Sequence, residues 1–569
     1  MYEQVFDPVS NSLGLSTIFA ALPLLTLFVL LGGFRVTAWI SGLVALAVAI
    51  VVAIAVYDVP VGQSLDMGLE GAAFGLFPIM WIVINAVWIY TMTERTGHFA
   101  VLRRSFATIS NDQRIQAVII AFSFGALIEG LAGFGTPVAI TSVMLLALGF
   151  SPLKAVALSL IGNTAPVAFG SIATPIVTLS AQTGLPLEDL GAMVGRQTPF
   201  LALIVPLVLV GVVDGTRGVR QTWPAAVVAG VTFAIAQFVC SNYISVELTD
   251  IIAALVSTVF LVGLLRFWKP SEPLIGESNG DARPAMAGAE GHDPALERGV
   301  RLREQDEEQD TKREKLEAYA PYMIIVAVFA IVKLVEPVKE FLFEFSGGTG
   351  YGTDAETPNG FDWPGLDVVN PDGEAPDAQT FAFSFWDTPG TVVLFCGLLT
   401  MAALRISVGE ALRAYAATLN QLKAAIVTVM AVLGLAFVMN LTGMTTTLGQ
   451  WIAGAGGVLA FLSSIIGWLG VAITGSDTSS NALFGALQVE AAKQAGLSEV
   501  LLASANSSGG VLGKMISPQN LAIGAAAVAM AGKEGDIFRR VLFWSVVLTL
   551  VMCVLVYLQS TSVLSWMVV

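Results

Sequence analysis

The sequence predicts an all-α polytopic membrane protein with about 12–14 membrane segments, arranged as two inverted-topology repeats. Its mean hydropathy is +0.76. Of its 569 residues, 55% are hydrophobic and only 12% are charged, which excludes an ordinary soluble domain. Two long, Gly-rich apolar blocks, near 116–180 and 451–531, carry the same spaced motif. Each repeat is therefore predicted to contain a re-entrant hairpin and a broken helix.

The first repeat is predicted to cover residues 1–267. Residues 1–11 are acidic and lack the basic region of a signal peptide, so the apolar segment that follows is expected to stay as a membrane helix. Apolar stretches of spanning length lie near 15–31, 36–56, 73–92, 197–213, 223–239 and 249–267. The block 116–180 is too long for one crossing and too rich in Gly, Ser, Thr and Pro for a plain span.

A charged connector at 268–320 is predicted to separate the first repeat from the second, which covers 321–569. The composition of residues 343–387 is rich in turn-forming residues and predicts an exposed acidic loop. The plain spans of the second repeat lie near 321–338, 388–404, 424–442 and 541–559. Its interrupted block is 451–531.

The distribution of basic residues predicts the orientation of the chain. The connector carries eight Lys and Arg residues, whereas 340–387 carries none and has ten Asp and Glu residues. Positive charge favours the cytoplasmic side, so the connector should lie inside and the acidic loop outside. Spans that flank the two interrupted blocks then run in opposite directions. The repeats are therefore predicted to be inverted, with their motifs meeting near the bilayer midplane.

The repeated motif is N-[ST]-x5-G-x3-[ST]-P, found at 163–175 and again at 506–518, an offset of 343 residues. Pro removes a backbone donor, and Gly and small hydroxyl residues loosen a helix. Both copies should therefore open backbone groups at membrane depth, as in the substrate sites of transporters. The alternative for the glycines and serines is close packing between membrane helices.

The predicted hairpin tips, at 129–137 and 474–481, expose backbone N–H groups, helix N-termini and hydroxyl donors, which suit an anion. Together with the twin motif they define the predicted binding site. Its members, besides a lysine considered next, are Gly135, Thr136, Asn163, Thr164, Ser476, Thr478, Ser479, Asn481, Asn506, Ser507 and Ser508.

Lys514 breaks the symmetry of the motif because the first copy has Ser171 at that position. A lysine in an apolar segment is costly unless it meets an anion or water, so Lys514 is predicted to bind a substrate carboxylate. A structural ion pair or a snorkelling side chain is the alternative. Glu129 and Asp477 are predicted to carry a coupling proton. Asp477 could instead cap a half-helix, and Glu129 could pair with a basic residue.

Several other classes of function are disfavoured. A net charge of −15 argues against a nucleic-acid partner. Three scattered cysteines and two histidines supply no metal-ligand spacing, and no motif of a hydrolase is present. The sequence predicts no catalytic residue, no metal site and no cofactor.

Four stretches carry a family resemblance: EGLAGFGTPVAI at 129–140, GNTAP at 162–166, GSDTSSNALFG at 475–485 and NSSGGVLGKMISPQ at 506–519. At these residues the chain resembles the L-lactate permease family, which includes glycolate permeases. The resemblance extends over nearly the full chain, apart from the charged connector and the acidic loop.

The resemblance implies a multi-pass protein of the cell membrane that takes up L-lactate, glycolate or another short 2-hydroxycarboxylate, with proton symport and alternating access. The expected partners are this monocarboxylate, a proton and membrane lipid. A sodium-coupled carboxylate carrier, an anion channel and a membrane enzyme are the alternatives, in that order. No sequence feature decides whether the chain forms a homodimer.

Overall fold

The structure, a computed structural model, describes residues 1–133, 135–274, 310–345 and 361–569, apart from positions 372, 377, 378, 382, 384 and 387. Much of the predicted connector and part of the predicted acidic loop lie outside the described residues. Within the described residues the chain is built from α-helices, with two small sheets of two strands each. The predicted all-α polytopic class is confirmed.

The helices of the first half are α1 (Leu13–Phe28), α2 (Ala38–Val56), α3 (Val61–Phe74), α4 (Trp81–Arg95), α5 (His98–Ala107), α6 (Gln113–Ala117), α7 (Gly125–Ala132), α8 (Thr136–Ala147), α9 (Pro152–Gly162), α10 (Gly170–Thr183), α11 (Leu187–Gln197), α12 (Pro199–Tyr243) and α13 (Thr249–Phe267). π-helical turns lie at Val29–Gly33, Gly75–Met80 and Val118–Phe124, and a 3-10 turn lies at Val167–Phe169. Two predicted spans, 197–213 and 223–239, both fall in α12, whose backbone leaves helical geometry at Asp214 and Gly215.

The helices of the second half are α14 (Lys312–Leu334), α15 (Glu336–Phe345), α16 (Pro389–Ala403), α17 (Val408–Thr442), α18 (Met444–Ala453), α19 (Leu459–Thr474), α20 (Asp477–Ala495), α21 (Glu499–Gly513), α22 (Pro518–Ala527) and α23 (Glu534–Gln559). 3-10 turns lie at Gly456–Val458, Lys514–Ile516 and Ser565–Met567. The strands are β1 (Tyr2–Glu3), β2 (Phe361–Asp362), β3 (Val368–Val369) and β4 (Thr380–Phe381).

Ten helical segments of the described chain are long and apolar enough to cross a bilayer. One further pair, Pro152–Gly162 with Val167–Thr183, passes the same criteria together but bends by 68° between its parts. Two shorter apolar helices are α8 and α16. The bent pair coincides with the first copy of the repeated motif, where a broken helix was expected.

Both predicted hairpins contain a helix break at a glycine with positive φ. Gly135, with φ of +82°, separates α7 from α8, and Gly475, with φ of +79°, separates α19 from α20. Only glycine adopts this region without a steric penalty. After each glycine the next helix starts with a favourable residue: Pro137 in the first turn of α8, and the Ser476 hydroxyl accepting from the Ser479 amide at 3.3 Å.

The two motif copies share one helix break, and the first copy has another. In the first copy α9 ends at Gly162, a turn and the 3-10 turn Val167–Phe169 follow, and Ser171–Ala173 at the start of α10 leave helical geometry, at positions equivalent to 514–516. In the second copy Asn506 and Ser507 lie inside α21, and the shared break falls between Gly513 and Ser517. The glycines of the second copy explain the difference, because they pack against a neighbouring helix while their own helix stays continuous.

Helices α19 and α21 approach each other through glycines on both sides. A Cβ atom on Gly467 would lie 1.9 Å from the Asn506 carbonyl oxygen, and one on Gly513 would lie 2.2 Å from the Trp468 carbonyl oxygen. Such contacts leave no room for any side chain. The packing explanation considered for these small residues therefore holds for this pair of helices, which positions the lysine at the end of α21.

We expect Gly467→Ala to destabilise the protein, because the clash is with backbone atoms that cannot move aside cheaply. Overpacking of this kind costs about 1–3 kcal/mol or more. Thermal unfolding of the detergent-solubilised protein should show a lower midpoint. Gly457→Ala is the matched control, because a Cβ atom at Gly457 meets nothing within 4 Å. Equal midpoints for the two variants would contradict the close approach.

The N-terminal residues contact both the acidic loop and the C-terminal end of α17. Strand β1 pairs in parallel with β3 in that loop. The Tyr2 hydroxyl donates to the Thr442 carbonyl at 2.9 Å, and the Gln4 amide donates to the Leu441 carbonyl at 2.9 Å. These bonds satisfy carbonyls at the C-terminus of α17 that have no partner within the helix.

Polar contacts also hold the two described ends of the connector. The buried Arg114 donates to Asp112 at 2.7 Å, to Asp214 at 3.0 Å and, in the connector, to the Glu272 carbonyl at 2.6 Å. Arg104 donates to Asp310, and this hydrogen bond holds the pKa of the Asp310 carboxyl below its ordinary value. The connector is thus anchored on both sides to the membrane-spanning part.

Candidate functional site

Several of the helix breaks described above meet at one small cleft with a cavity volume of about 30 Å³. They are the hairpin break after α19, the non-helical start of α10 and the 3-10 turn after α21. The residues that line the cleft are Glu129, Val167, Gly170, Ser171, Pro175, Gly475, Ser476, Asp477, Thr478, Lys514 and Gln519. Both halves of the chain therefore contribute to one site.

A left-handed turn of three non-glycine residues forms part of the wall. Ser171, Ile172 and Ala173 have φ values of 47°, 57° and 55°. This conformation costs roughly 1–2 kcal/mol per residue, and such strain is typical of functional sites. The turn follows Gly170, where a Cβ atom would lie 2.7 Å from Oε1 of Glu129. Glycine is required there because the Glu129 carboxylate packs directly on the backbone.

The centre of the cleft is an ion pair between the two repeats. Nζ of Lys514 donates to Oε1 of Glu129 at 2.6 Å, and Nδ2 of Asn163 donates to Oε2 at 3.0 Å. Lys514 is only 6% exposed and Glu129 only 2%. Removing either partner would leave a buried charge unpaired, which is strongly unfavourable. The pair joins two residues that the sequence singled out separately.

The symmetry-related positions of the two motifs lie on either side of the same carboxylate. A Cβ atom on Gly133 would lie 2.5 Å from the Ser171 hydroxyl and 3.3 Å from Oε1 of Glu129. Ser171 and Lys514 occupy equivalent places in the two copies of the motif. The Ser171 hydroxyl and the Glu129 carboxylate therefore both lie beside Gly133, while the Lys514 ammonium binds the carboxylate directly.

Asp477 is held by the second copy of the motif. The Ser507 hydroxyl donates to Oδ2 of Asp477 at 2.6 Å. Oδ1 accepts no hydrogen bond from any described residue. Asp477 lies in the first turn of α20, but the capping side chain is that of Ser476, so the expected alternative role as a cap does not apply.

A chain of amides behind the cleft connects the repeats. Nδ2 of Asn506 donates to Oδ1 of Asn481 at 2.9 Å, and Nδ2 of Asn481 donates to the Pro175 carbonyl at 3.0 Å. Nε2 of Gln488 is 3.4 Å from Oδ1 of Asn506. Satisfied buried networks of this kind fix the relative position of the groups they join.

The structure separates the predicted site residues into two groups. Five of them line the cleft: Glu129, Ser476, Asp477, Thr478 and Lys514. Asn163 and Ser507 bind the cleft carboxylates from behind, while Asn481 and Asn506 form the amide chain.

The remaining predicted residues support the surrounding helices. The Thr164 hydroxyl donates to the Ile161 carbonyl at 2.7 Å, and a Cβ atom on Gly135 would lie 2.5 Å from Ile523. Thr136 starts α8. The Ser479 amide completes the cap of α20, and the buried Ser508 hydroxyl has no partner among the described residues.

Three polar residues of this region were not predicted as site residues, and the first is Ser171, which lines the cleft. Gln519 lines the cleft directly after the second motif. Asp250, in the first turn of α13, is fully buried and interacts electrostatically with Glu129 and Lys514. An acidic residue in the first turn of a helix is common, so no sequence feature pointed to this position. The described residues contain no group of three or more His, Cys, Asp or Glu side chains arranged to hold a metal ion.

The model of the L-lactate permease family matches residues 16–563. The chain belongs to the L-lactate permease family. An L-lactate permease of Bacillus subtilis (strain 168) is 38% identical, with both chains covered completely. An L-lactate permease of Escherichia coli (strain K12) is 39% identical over the full length of both chains. A glycolate permease of the same strain is also 39% identical, over 98% of each chain.

Membership of this permease family confirms three predictions. The family resemblance is confirmed over nearly the whole chain. The protein is a transporter rather than an enzyme. With its ten membrane-spanning helical segments in the described residues, this lactate permease homologue is a multi-pass protein of the cell membrane.

Proposed function

We propose that this permease takes up L-lactate or a related short 2-hydroxycarboxylate such as glycolate, by proton symport with alternating access. The observation that carries the proposal is the Lys514–Glu129 pair, because a buried ammonium in a cleft already binds a carboxylate at 2.6 Å. A substrate carboxylate has the same chemistry as the glutamate and competes for the same ammonium.

Displacement of Glu129 by the substrate provides the coupling. Once the substrate carboxylate has taken Lys514, the glutamate is a second buried anion without a cation. A proton on Glu129 removes this charge, so one proton accompanies each monocarboxylate. Asp477, whose Oδ1 also lacks a donor among the described residues, is the second proton-coupling residue of the proposal.

The rest of the cleft suits a small hydroxy acid. The hydroxyls of Ser476 and Thr478 and the amide of Gln519 line it beside the N-terminus of α20, which favours negative charge. Val167 and Pro175 supply an apolar wall. Lactate and glycolate differ by one methyl group, worth about 1–3 kcal/mol in an apolar pocket, so the same cleft accommodates both.

Alternating access is proposed to come from movement of the hairpin-bearing parts of both repeats against the plainer spans. The amide chain from Asn506 through Asn481 to the Pro175 carbonyl supports this, because it ties the broken segments of the two repeats into one unit. An elevator-type motion is the preferred form, by analogy with other transporters that have paired broken helices.

The test is uptake of labelled L-lactate and glycolate into proteoliposomes under imposed gradients. We expect an external acid pulse to drive accumulation, and a protonophore to abolish it. A sodium gradient at equal pH on both sides should have no effect. Sodium-driven uptake without acidification of the lumen would replace proton symport by the sodium-coupled alternative, and non-saturable flux without accumulation would indicate a channel.

A further inference from the structure

Asp250 carries a buried carboxyl group that has no role in the proposed displacement of Glu129 from Lys514 by the substrate. It lies in the first turn of α13 and is 0% exposed. Among the described residues, neither of its carboxyl oxygens accepts a hydrogen bond of normal geometry. A buried ionised carboxylate without donors or a paired cation is strongly disfavoured, whereas a protonated one is not.

Asp250 is next to the central ion pair. A Cβ atom on Gly130, the residue after Glu129, would lie 3.2 Å from Cβ of Asp250, so α7 and α13 are in contact at this point. Asp250 interacts unfavourably with the negative charge of Glu129 and favourably with Lys514. Lys514 is already bound to Glu129 at 2.6 Å. Its positive charge is therefore compensated by Glu129, and Asp250 has no ion-pair partner of its own.

The other groups around Asp250 supply no cation. From α12, Gln237 and the buried thiol of Cys240 face it, and Glu247 lies in the preceding loop. Helix α10 and the turn Val118–Phe124 also pack on α13 and contain no titratable residue. Helix α14 packs on α13 as well and carries Lys312, Arg313 and Lys315 in its first turn. The groups found to act on Asp250, however, are Glu129, Lys514 and Gln237. The N-terminus of α13 favours the ionised carboxylate, but this effect is smaller than the cost of burying an unpaired charge.

Gln237 provides an acceptor for a proton on Asp250. Its Nε2 donates to the Ala165 carbonyl at 3.2 Å, inside the break of the first motif. Its Oε1 has no donor among the described residues. Its amide lies beside Asp250, where the Nε2 side favours the ionised carboxylate and the Oε1 side can accept from the protonated one. A protonated Asp250 supplies the missing O–H donor, whereas an ionised one supplies none.

The net charge of the buried groups also favours a protonated Asp250. Lys514 is the cation at the centre of the site, and three buried carboxyls, those of Glu129, Asp477 and Asp250, lie within its electrostatic reach. If all three were ionised, the buried cluster would carry two uncompensated negative charges. Protons on the carboxyls that lack a cation remove the imbalance.

We propose that Asp250 holds a proton in this state and passes it to Glu129 when a substrate carboxylate takes Lys514. In this step the O–H bond of Asp250 breaks and an O–H bond forms on Glu129, and the electron pair stays on Asp250. Asp250 then takes up a new proton from the aqueous side. The loaded site has gained one negative charge and one proton, as symport requires.

The direction of the relay follows from the position of Asp250 in α13. The helix leads to the connector, which is predicted to lie inside, so its first turn belongs to the outer half of the membrane. Asp250 is therefore on the side from which substrate and proton enter. This inference rests on the proposed proton symport and assigns a second residue to it.

The test compares Asp250→Asn with wild type in proteoliposomes, using two assays of labelled L-lactate. Asparagine imitates the protonated carboxyl but carries no transferable proton. Exchange of internal for external lactate does not require the proton to leave, so we expect it to persist. Proton-driven net uptake should fall by about 100-fold, the typical contribution of a positioned proton-transfer group. Asp250→Glu, which keeps the carboxyl, should restore part of the net uptake.

Each other outcome overturns a defined part of the inference. Net uptake by Asp250→Asn at the wild-type rate removes Asp250 from the proton path. Loss of both exchange and net uptake in Asp250→Asn and in Asp250→Glu shows a structural role instead. Asp189→Asn, on α11, is the control for removal of one acidic group. If wild type itself follows sodium rather than protons, the proposed symport fails, and this result is distinct from a failure of Asp250 alone.

Discussion

Lys514→Met is expected to abolish binding of L-lactate while the protein remains folded. Methionine keeps the length of the side chain but removes the only cationic group among the described residues that line the cleft. Truncation of one partner in a buried ionic contact costs about 2–5 kcal/mol, or roughly 30-fold to several-thousand-fold in Kd. Isothermal titration of the purified protein with L-lactate measures the loss directly.

Lys514→Met also removes the partner of Glu129, so its effect on folding must be separated from its effect on binding. The double variant Lys514→Met with Glu129→Gln replaces the ion pair by two neutral side chains. It should recover the thermal stability lost by the single variant, because no unpaired charge remains, and it should still fail to bind. Lys423→Met, at an exposed lysine of α17, is the control for charge removal. Unchanged affinity in Lys514→Met would remove this lysine from the site.

Glu129→Gln is expected to uncouple lactate transport from protons. Glutamine imitates the protonated glutamate and leaves Lys514 without a competing carboxylate. In wild type, binding takes up one proton, so Kd for lactate should rise with pH by up to about tenfold per pH unit. In the variant, Kd should be independent of pH, and lower than that of wild type at alkaline pH.

Two assays on Glu129→Gln check this expectation. Titrations over a pH series give the proton linkage of binding, and proteoliposomes give accumulation and exchange. We expect exchange of lactate to continue and proton-driven accumulation to be lost. Glu490→Gln, on α20 but outside the cleft lining, should keep the wild-type pH dependence. A Glu129→Gln variant that still accumulates lactate against its gradient would assign the proton to another group, with Asp477 next in line.

Much of the fold was predictable because membrane helices are encoded by apolar length and helix breaks by Gly and Pro. Gly135 and Gly475 illustrate this, since both occupy positive-φ positions at predicted hairpin breaks. The position of the second break was less predictable. Asn506 looks like a helix breaker in the sequence, but α21 remains continuous because the glycines around it permit close contact with α19.

The site was predictable residue by residue but not as a set of contacts. Lys514 and Glu129 each drew attention as charges in apolar sequence, yet their pairing spans 385 positions and depends on how the repeats fold together. Asp250 could not be identified from the sequence. An aspartate at the start of a membrane helix is common, because it usually contacts water there. Only its burial beside Gly130 makes it unusual.

The single lysine also determines the valence of the substrate that the cleft accepts. A monocarboxylate with one proton leaves the total charge of the site unchanged. A dicarboxylate brings a second negative charge, and the described residues that line the cleft offer no second cation to meet it. If Lys514 binds the substrate as proposed, we expect dianions to be rejected by charge even when their size is suitable. On the proposed binding role of Lys514, its replacement of Ser171 would act as a filter for monoanions, built from the difference between two otherwise similar halves.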